Sequence, residues 1–229
     1  MPVPSVRSAQ LIWVSAERYD RLFMVDFLQL LGDPARSALL VIDMQNDFLL
    51  PGAPVAVPGG LDLVPAIADL AAQCRQSGYP VVYTQEMHRA DLSDFGVELA
   101  FEPAHCLEGS GGEDLLDGLG VAPGDVVIRP KRRYDAFLGT ELDAVLRSRC
   151  VENLLVAGVC TDICVSATVQ HARNLDYRCF VLSDAVAGTT PSRHHAALEC
   201  MASAFAYVGS MADICPRFGL RDPAVPAPV

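Results

Sequence analysis

From Ser37 onward, short continuous apolar runs alternate with longer segments whose apolar residues return at helical spacing. The runs are ALLVIDM (38–44), YPVVYTQ (79–85), DVVIRP (125–130), ENLLVAGV (152–159), YRCFVLSDA (177–185) and AYVGS (206–210). Each is bounded by turn residues and reads as a buried strand. Between the first two lies a segment with apolar residues at 61, 63, 64, 67, 70, 71 and 74, closed by Gly78, which predicts a helix. GTELDAVLRSRC (139–150) predicts another, with Thr140 placed to cap its start. TDICVSATVQHARNLD (161–176) and SRHHAALECMA (192–202) predict two more. Strands that alternate with helices build βαβ units. The expectation is an α/β chain: a three-layer αβα sandwich around a Rossmann-like parallel sheet of about six strands.

Residues 1–36 precede this pattern and read as an extension. AERYDRLFMVDFLQLLG (16–32) predicts a short amphipathic helix that packs on the domain or on a second subunit, so a homo-oligomer is expected. Met24 is a possible alternative start. Residues 37–229 form the one expected domain, ending in a Pro- and Ala-rich tail.

Composition then removes whole classes of function. A net charge of −11 argues against nucleic acid or an anionic membrane surface as a partner. No apolar run approaches the ~20 residues that span a bilayer, and no signal-peptide pattern opens the chain. A soluble cytoplasmic protein is expected. The eight cysteines are scattered through apolar segments with no CxxC pair, so most read as small buried hydrophobes and no zinc-finger spacing exists.

The chemistry gathers at strand ends, where ligands of parallel sheets sit. Asp43 closes the first run, Lys131 follows DVVIRP, and Cys160 and Cys164 follow ENLLVAGV. Lys131 is the one lysine of the chain, against sixteen arginines. A site that needs a compact ammonium, which the wide guanidinium fork cannot replace, explains such a survivor. Cys164 falls in the first turn of a predicted helix, where free backbone N–H groups lower a thiol's pKa and can hold an oxyanion. A thiol, a carboxylate and an ammonium make a nucleophile, a proton acceptor and a charge stabiliser. No GxGxxG follows the first strand, which disfavours a dinucleotide-dependent oxidoreductase.

LLVIDMQNDF, KRRYDAF, AGVCTDICV and VLSDAVAG together resemble, in order and spacing, the isochorismatase-like cysteine hydrolases. The resemblance covers roughly residues 37–210. It implies the isochorismatase-like hydrolase fold and a catalytic triad of Asp43, Lys131 and Cys164. It also implies an oxyanion hole from the backbone N–H groups of Cys160 and Cys164, and a cis Val159–Cys160 peptide bond. The implied reaction is hydrolysis of a C–N bond in a small amide or carbamoyl/ureido compound through a thioester, with release of ammonia. A nicotinamidase-type amidase with a degenerate metal site is the alternative, together with a non-catalytic or vinyl-ether-cleaving homologue. Gln45, Phe48, Arg132 and Tyr134 are candidates for the substrate pocket, with Arg132 suited to a substrate carboxylate. Glu86, His88, Asp94 and His105 stand where nicotinamidases carry metal ligands. The favoured reading is a polar loop with a capping aspartate, with no metal and no cofactor. His194 and His195 read as surface residues.

Overall fold

The computed structural model describes residues 33–223. The amphipathic segment 16–32 therefore lies outside the described residues. The strands are β1 (Ser37–Ile42), β2 (Val81–Glu86), β3 (Val126–Lys131), β4 (Asn153–Val159), β5 (Arg178–Ala187) and β6 (Ala206–Gly209). All pair in parallel, in the order β3-β2-β1-β4-β5-β6. The helices are α1 (Asn46–Leu49), α2 (Val64–Gln76), α3 (Leu142–Ser148), α4 (Ser166–Asn174), α5 (Pro191–Ala204) and α6 (Met211–Ile214). A wide π turn, Thr161–Val165, leads from β4 into α4.

The alternation of side chains along β1 divides the core in two. Leu39 and Val41 pack with Ile67, Leu70 and Ile214, on the face covered by α2 and α6. Leu40 and Ile42 pack with Leu142, Leu146, Val169 and Met201, on the face covered by α3, α4 and α5. Central strands covered on both faces are mostly apolar, and β1, β2 and β4 are buried at every position, the polar end of β2 (Thr84, Gln85, Glu86) included.

One small difference from the predicted elements has a local cause. Helix α3 begins three residues later than its sequence segment, at Leu142 after Glu141. Thr140 Oγ1 does accept from Leu142 N at 3.2 Å, but it also donates to Ala136 O at 2.5 Å, which holds it in the preceding turn. Cys150 and Cys200 are exposed, whereas the other six cysteines are buried.

The strand order reverses between β1 and β4, which opens the crevice where doubly wound sheets place their ligands. These two strands approach closely there. Gly158 sits opposite Ile42 with φ 116°, and a Cβ on it would lie 2.1 Å from Ile42 O. No side chain fits that position.

Candidate active site

Asp43 is the first residue after β1 and takes a left-handed conformation, φ 50°, uncommon for a residue with a side chain. Thr84 on β2 holds it there: its Oγ1 accepts from Asp43 N at 3.1 Å and its hydroxyl donates to Asp43 Oδ1 at 2.6 Å. The other carboxylate oxygen, Oδ2, lies 2.7 Å from Lys131 Nζ. Lys131 ends β3, two strands away, and is completely buried. The β2–β3 register puts Glu86 directly beside it, and Nζ donates to Glu86 Oε2 at 2.6 Å. The third neighbour of the ammonium is Cys164 Sγ, at 3.6 Å. Oxygens of Asp43 and Glu86 and the Cys164 sulfur all lie within 4.8 Å of one another. The lysine thus neutralises two carboxylates and faces the thiol at once.

The bond between Val159 and Cys160 is cis. Beyond it, Ile163 N and Val165 N donate to Cys160 O, winding the π turn that carries Cys164. Burial sets the resting charge state here. It pushes the Cys164 thiol well above its ordinary value, against the pull of Lys131 and with reinforcement from Asp43 and Glu86. This corrects the sequence expectation of a lowered thiol pKa: a helix start offers too little to offset complete desolvation. Burial likewise raises Asp43, an effect that Lys131 opposes. Burial would also raise Glu86, yet Lys131, His105 and His88 hold it well below the usual carboxylate range. Burial alone would lower Lys131, but Asp43, Cys164 and Glu86 keep it protonated well above its ordinary value. At rest the site holds a thiol, an ammonium and at least one carboxylate, with Asp43 the carboxyl most ready to take a proton.

A cavity of about 220 Å³ opens onto Cys164. Phe48 and Tyr134 line it, and Val55, Val57 and Ile163 complete an apolar wall. Gln45 and Arg132 do not line it. Gln45 is buried beneath, where its Nε2 donates to Glu86 O and Glu113 O and its Oε1 accepts from Glu86 N, each at 2.7 Å. It clamps the backbone that presents Glu86. Arg132 points away from its neighbour Lys131 and binds Met87 O, Asp94 and Glu108, at 2.7, 2.6 and 2.8 Å. It ties down the segment after β2 and has no hand left for a substrate carboxylate.

That segment is more than a polar loop. Glu86, His88, Glu98 and His105 are all buried, with one ligand atom from each within 4.8 Å of the others. Glu86 Oε1 lies 3.2 Å from His88 Nε2 and 3.3 Å from His105 Nε2. Glu98 Oε1 faces the same two nitrogens at 3.8 and 3.7 Å and has no hydrogen-bond partner. His105 Nδ1 is turned to Pro103 O at 2.8 Å, which aims Nε2 inward as in a metal-ligating imidazole. Two carboxylates and two imidazole nitrogens that converge while buried need positive charge between them. A proton on His105 can supply it: burial would lower this imidazole, but the bonds to Glu86 and Pro103 raise it to about 9. A divalent cation would supply it as well, and two nitrogens with two carboxylate oxygens suit a zinc-like ion. The residues present therefore fit a metal.

Asp94 is not in the cluster. It receives Arg132 and Arg89 N and lies 3.6 Å behind His88 Nδ1. Glu98, four residues on, stands in its place. Of the two histidines read as surface, His195 is exposed, but His194 is half-buried and its Nδ1 lies 2.9 Å from Thr161 Oγ1.

A parallel sheet whose strand ends bring together a cysteine, a lysine and an aspartate beside a small cavity defines a cysteine-hydrolase type of site. The Isochorismatase domain matches residues 37–213, and the chain belongs to that family. It is 31% identical over 214 residues to ureidoacrylate amidohydrolase RutB of Pseudomonas syringae, covering 81% of this chain and 84% of the relative. It is 37% identical over 168 residues to an Arabidopsis thaliana protein described as a probable inactive nicotinamidase, covering 70% and 85%. Among solved structures it resembles a pyrazinamidase of Pyrococcus horikoshii in complex with zinc, with a TM-score of 0.71 and 29% identity, covering 76% of this chain and 99% of that one.

Proposed function

We propose that this protein is an amidohydrolase that cleaves the C–N bond of a small amide through a thioester on Cys164. The observation that carries the reading is Lys131, ion-paired to Asp43 and Glu86 and buried 3.6 Å behind Cys164, whose thiol lines a cavity. In the reaction, Asp43 takes the Cys164 proton as sulfur attacks the carbonyl carbon. Lys131 stabilises the thiolate and carries the changing charge of its neighbours. The tetrahedral oxyanion rests on the backbone N–H groups of Cys160 and Cys164. Asp43 then returns the proton to the departing nitrogen, and ammonia leaves. Water attacks the thioester, releasing a carboxylic acid and restoring the thiol. Residues 37–229 form the catalytic domain in this reading, and residues 1–36 an extension that serves packing or assembly into a homo-oligomer.

The converging Glu86, His88, Glu98 and His105 favour an amidase that carries a divalent ion over a metal-free carbamoyl hydrolase. Those four residues would hold the ion, which when bound supplies Lewis acidity at the wall of the cavity. Glu86 would serve two masters, since one oxygen faces the histidines and the other holds Lys131.

Ammonia release from a panel of small aromatic and aliphatic amides and ureides tests the proposal, in wild type and in Cys164→Ala. The wild type should turn over at least one compound and Cys164→Ala none, with unchanged circular dichroism. Equal turnover by the two proteins would refute it.

A further inference from the structure

The charged groups around the cavity point to the kind of substrate that enters. Glu86, Glu102, His105 and Thr189 supply polar lining beside the apolar wall. Each cation near it is already engaged. Lys131 is taken up by Asp43 and Glu86 and does not line the cavity. His105 directs one ring nitrogen to Pro103 O and the other to Glu86. Arg132 is held by Asp94 and Glu108, and Arg133 by Asp94 O and Arg132 O. Arg193 does not itself line the cavity; from an exposed position it donates to the lining Thr189 at Oγ1, 3.3 Å away. Glu102 is different. It is a quarter exposed toward the cavity and lies 4.0 Å from His105 Nε2, with no closer side-chain partner among the described residues. Its carboxylate is the least compensated charge a ligand meets, since the His105 nitrogen it faces at 4.0 Å is approached more closely by Glu86 Oε1, at 3.3 Å.

Resting on the amidase reading above, we infer that Glu102 is a specificity-determining residue, selecting small amides whose acyl part is uncharged or carries a basic nitrogen. Amides and ureides that carry a carboxylate on the acyl part are turned away. Two like charges a few ångströms apart in a partly desolvated cavity repel strongly enough to separate substrates by about tenfold or more. A basic nitrogen on the same frame gains where the carboxylate loses. The apolar wall of Phe48, Val57 and Ile163 holds the frame itself, whatever charge it carries.

The test uses three probes on one aromatic ring: unsubstituted, bearing an aminomethyl group, and bearing a carboxylate. Each is made as the carboxamide and as the aldehyde, which adds reversibly to a thiol. The protein is the full chain with Cys150→Ser and Cys200→Ser, which removes the exposed thiols, with and without Glu102→Gln. One readout is kcat/KM for ammonia release; the other is protection of Cys164 from iodoacetamide by the aldehydes, which needs no C–N cleavage. Both are run with added zinc and with a chelator, because a cation in the neighbouring cluster would add positive charge.

The expected result is that the carboxylate probe trails the unsubstituted one by about tenfold or more in both readouts. Glu102→Gln should narrow that gap to within about threefold in both readouts. A preference for the carboxylate probe, or a gap untouched by Glu102→Gln, overturns the inference while leaving the amidase reading intact. If no amide turns over but the aldehydes still protect Cys164, the amidase reading falls and the protection gap alone decides the role of Glu102. If no probe of any charge protects Cys164, the cavity is not a ligand site and both fall.

Discussion

Replacing Lys131 should damage the fold as well as the chemistry, although the residue sits at a strand end. The side chain is fully buried, with carboxylates at 2.7 and 2.6 Å. Truncation to Ala leaves Asp43 and Glu86 facing each other without a cation, in a space that water does not freely reach. Breaking a buried pair in this way costs about 3–5 kcal/mol, a large part of the ~5–15 kcal/mol that holds a domain together. Loss of the charge beside Cys164 should also slow turnover by about 10²–10³-fold. Lys131→Arg keeps the charge but must fit a planar fork where one nitrogen now reaches two carboxylates and a sulfur. It should therefore lose nearly as much activity as Lys131→Ala, with a smaller loss of stability. Urea unfolding followed by circular dichroism gives the stabilities, and ammonia release gives the rates. Near-wild-type turnover in Lys131→Arg would show that a compact ammonium is not required. A Lys131→Ala protein within about 1 kcal/mol of wild type would show that the two carboxylates do not depend on it.

Three further outcomes follow from the same geometry. Because burial holds the Cys164 thiol well above its ordinary value, its alkylation rate in the Cys150→Ser, Cys200→Ser background should still be climbing above pH 9. A plateau near pH 7 would contradict that charge state. Gly158→Ala should fail to fold or lose more than about 4 kcal/mol, since its Cβ would strike the β1 backbone at a left-handed position; a stable, active variant would contradict the close approach. Zinc should bind by calorimetry and lose affinity by about tenfold or more in Glu98→Gln, while Asp94→Asn changes it less. Equal binding by wild type and Glu98→Gln would remove Glu98 from the cluster.

How much of this was readable in the sequence depended on whether a signal was local. The six strands came from short apolar runs, and burial of both sheet faces explains why those of β1 and β4 are nearly pure. The convergence of Asp43, Lys131 and Cys164 was legible because each lies at the end of such a run or in the turn that follows it, and because Lys131 stands alone among arginines. Arg132 was misjudged for the opposite reason. Adjacency in sequence at a strand end means divergence in space, so the neighbour of a site residue tends to point away from it. Glu86 was visible as a possible ligand, but its bond to Lys131 arises from the β2–β3 register, which shifts irregularly between Thr84 and Glu86. Glu98 and Glu102 lie in a stretch without strong periodicity. Only the fold of that stretch shows that one glutamate turns inward to the histidines and the other toward the cavity.

The central claim is that the acyl group passes through sulfur. Rapid acid quench during turnover of the best amide, followed by intact-mass measurement and peptide mapping, tests it most directly. The protein should gain the mass of the substrate less ammonia, with the added mass on Cys164 and absent from Cys164→Ala. Turnover that proceeds in Cys164→Ala, or an adduct mapped to another residue, would contradict the account.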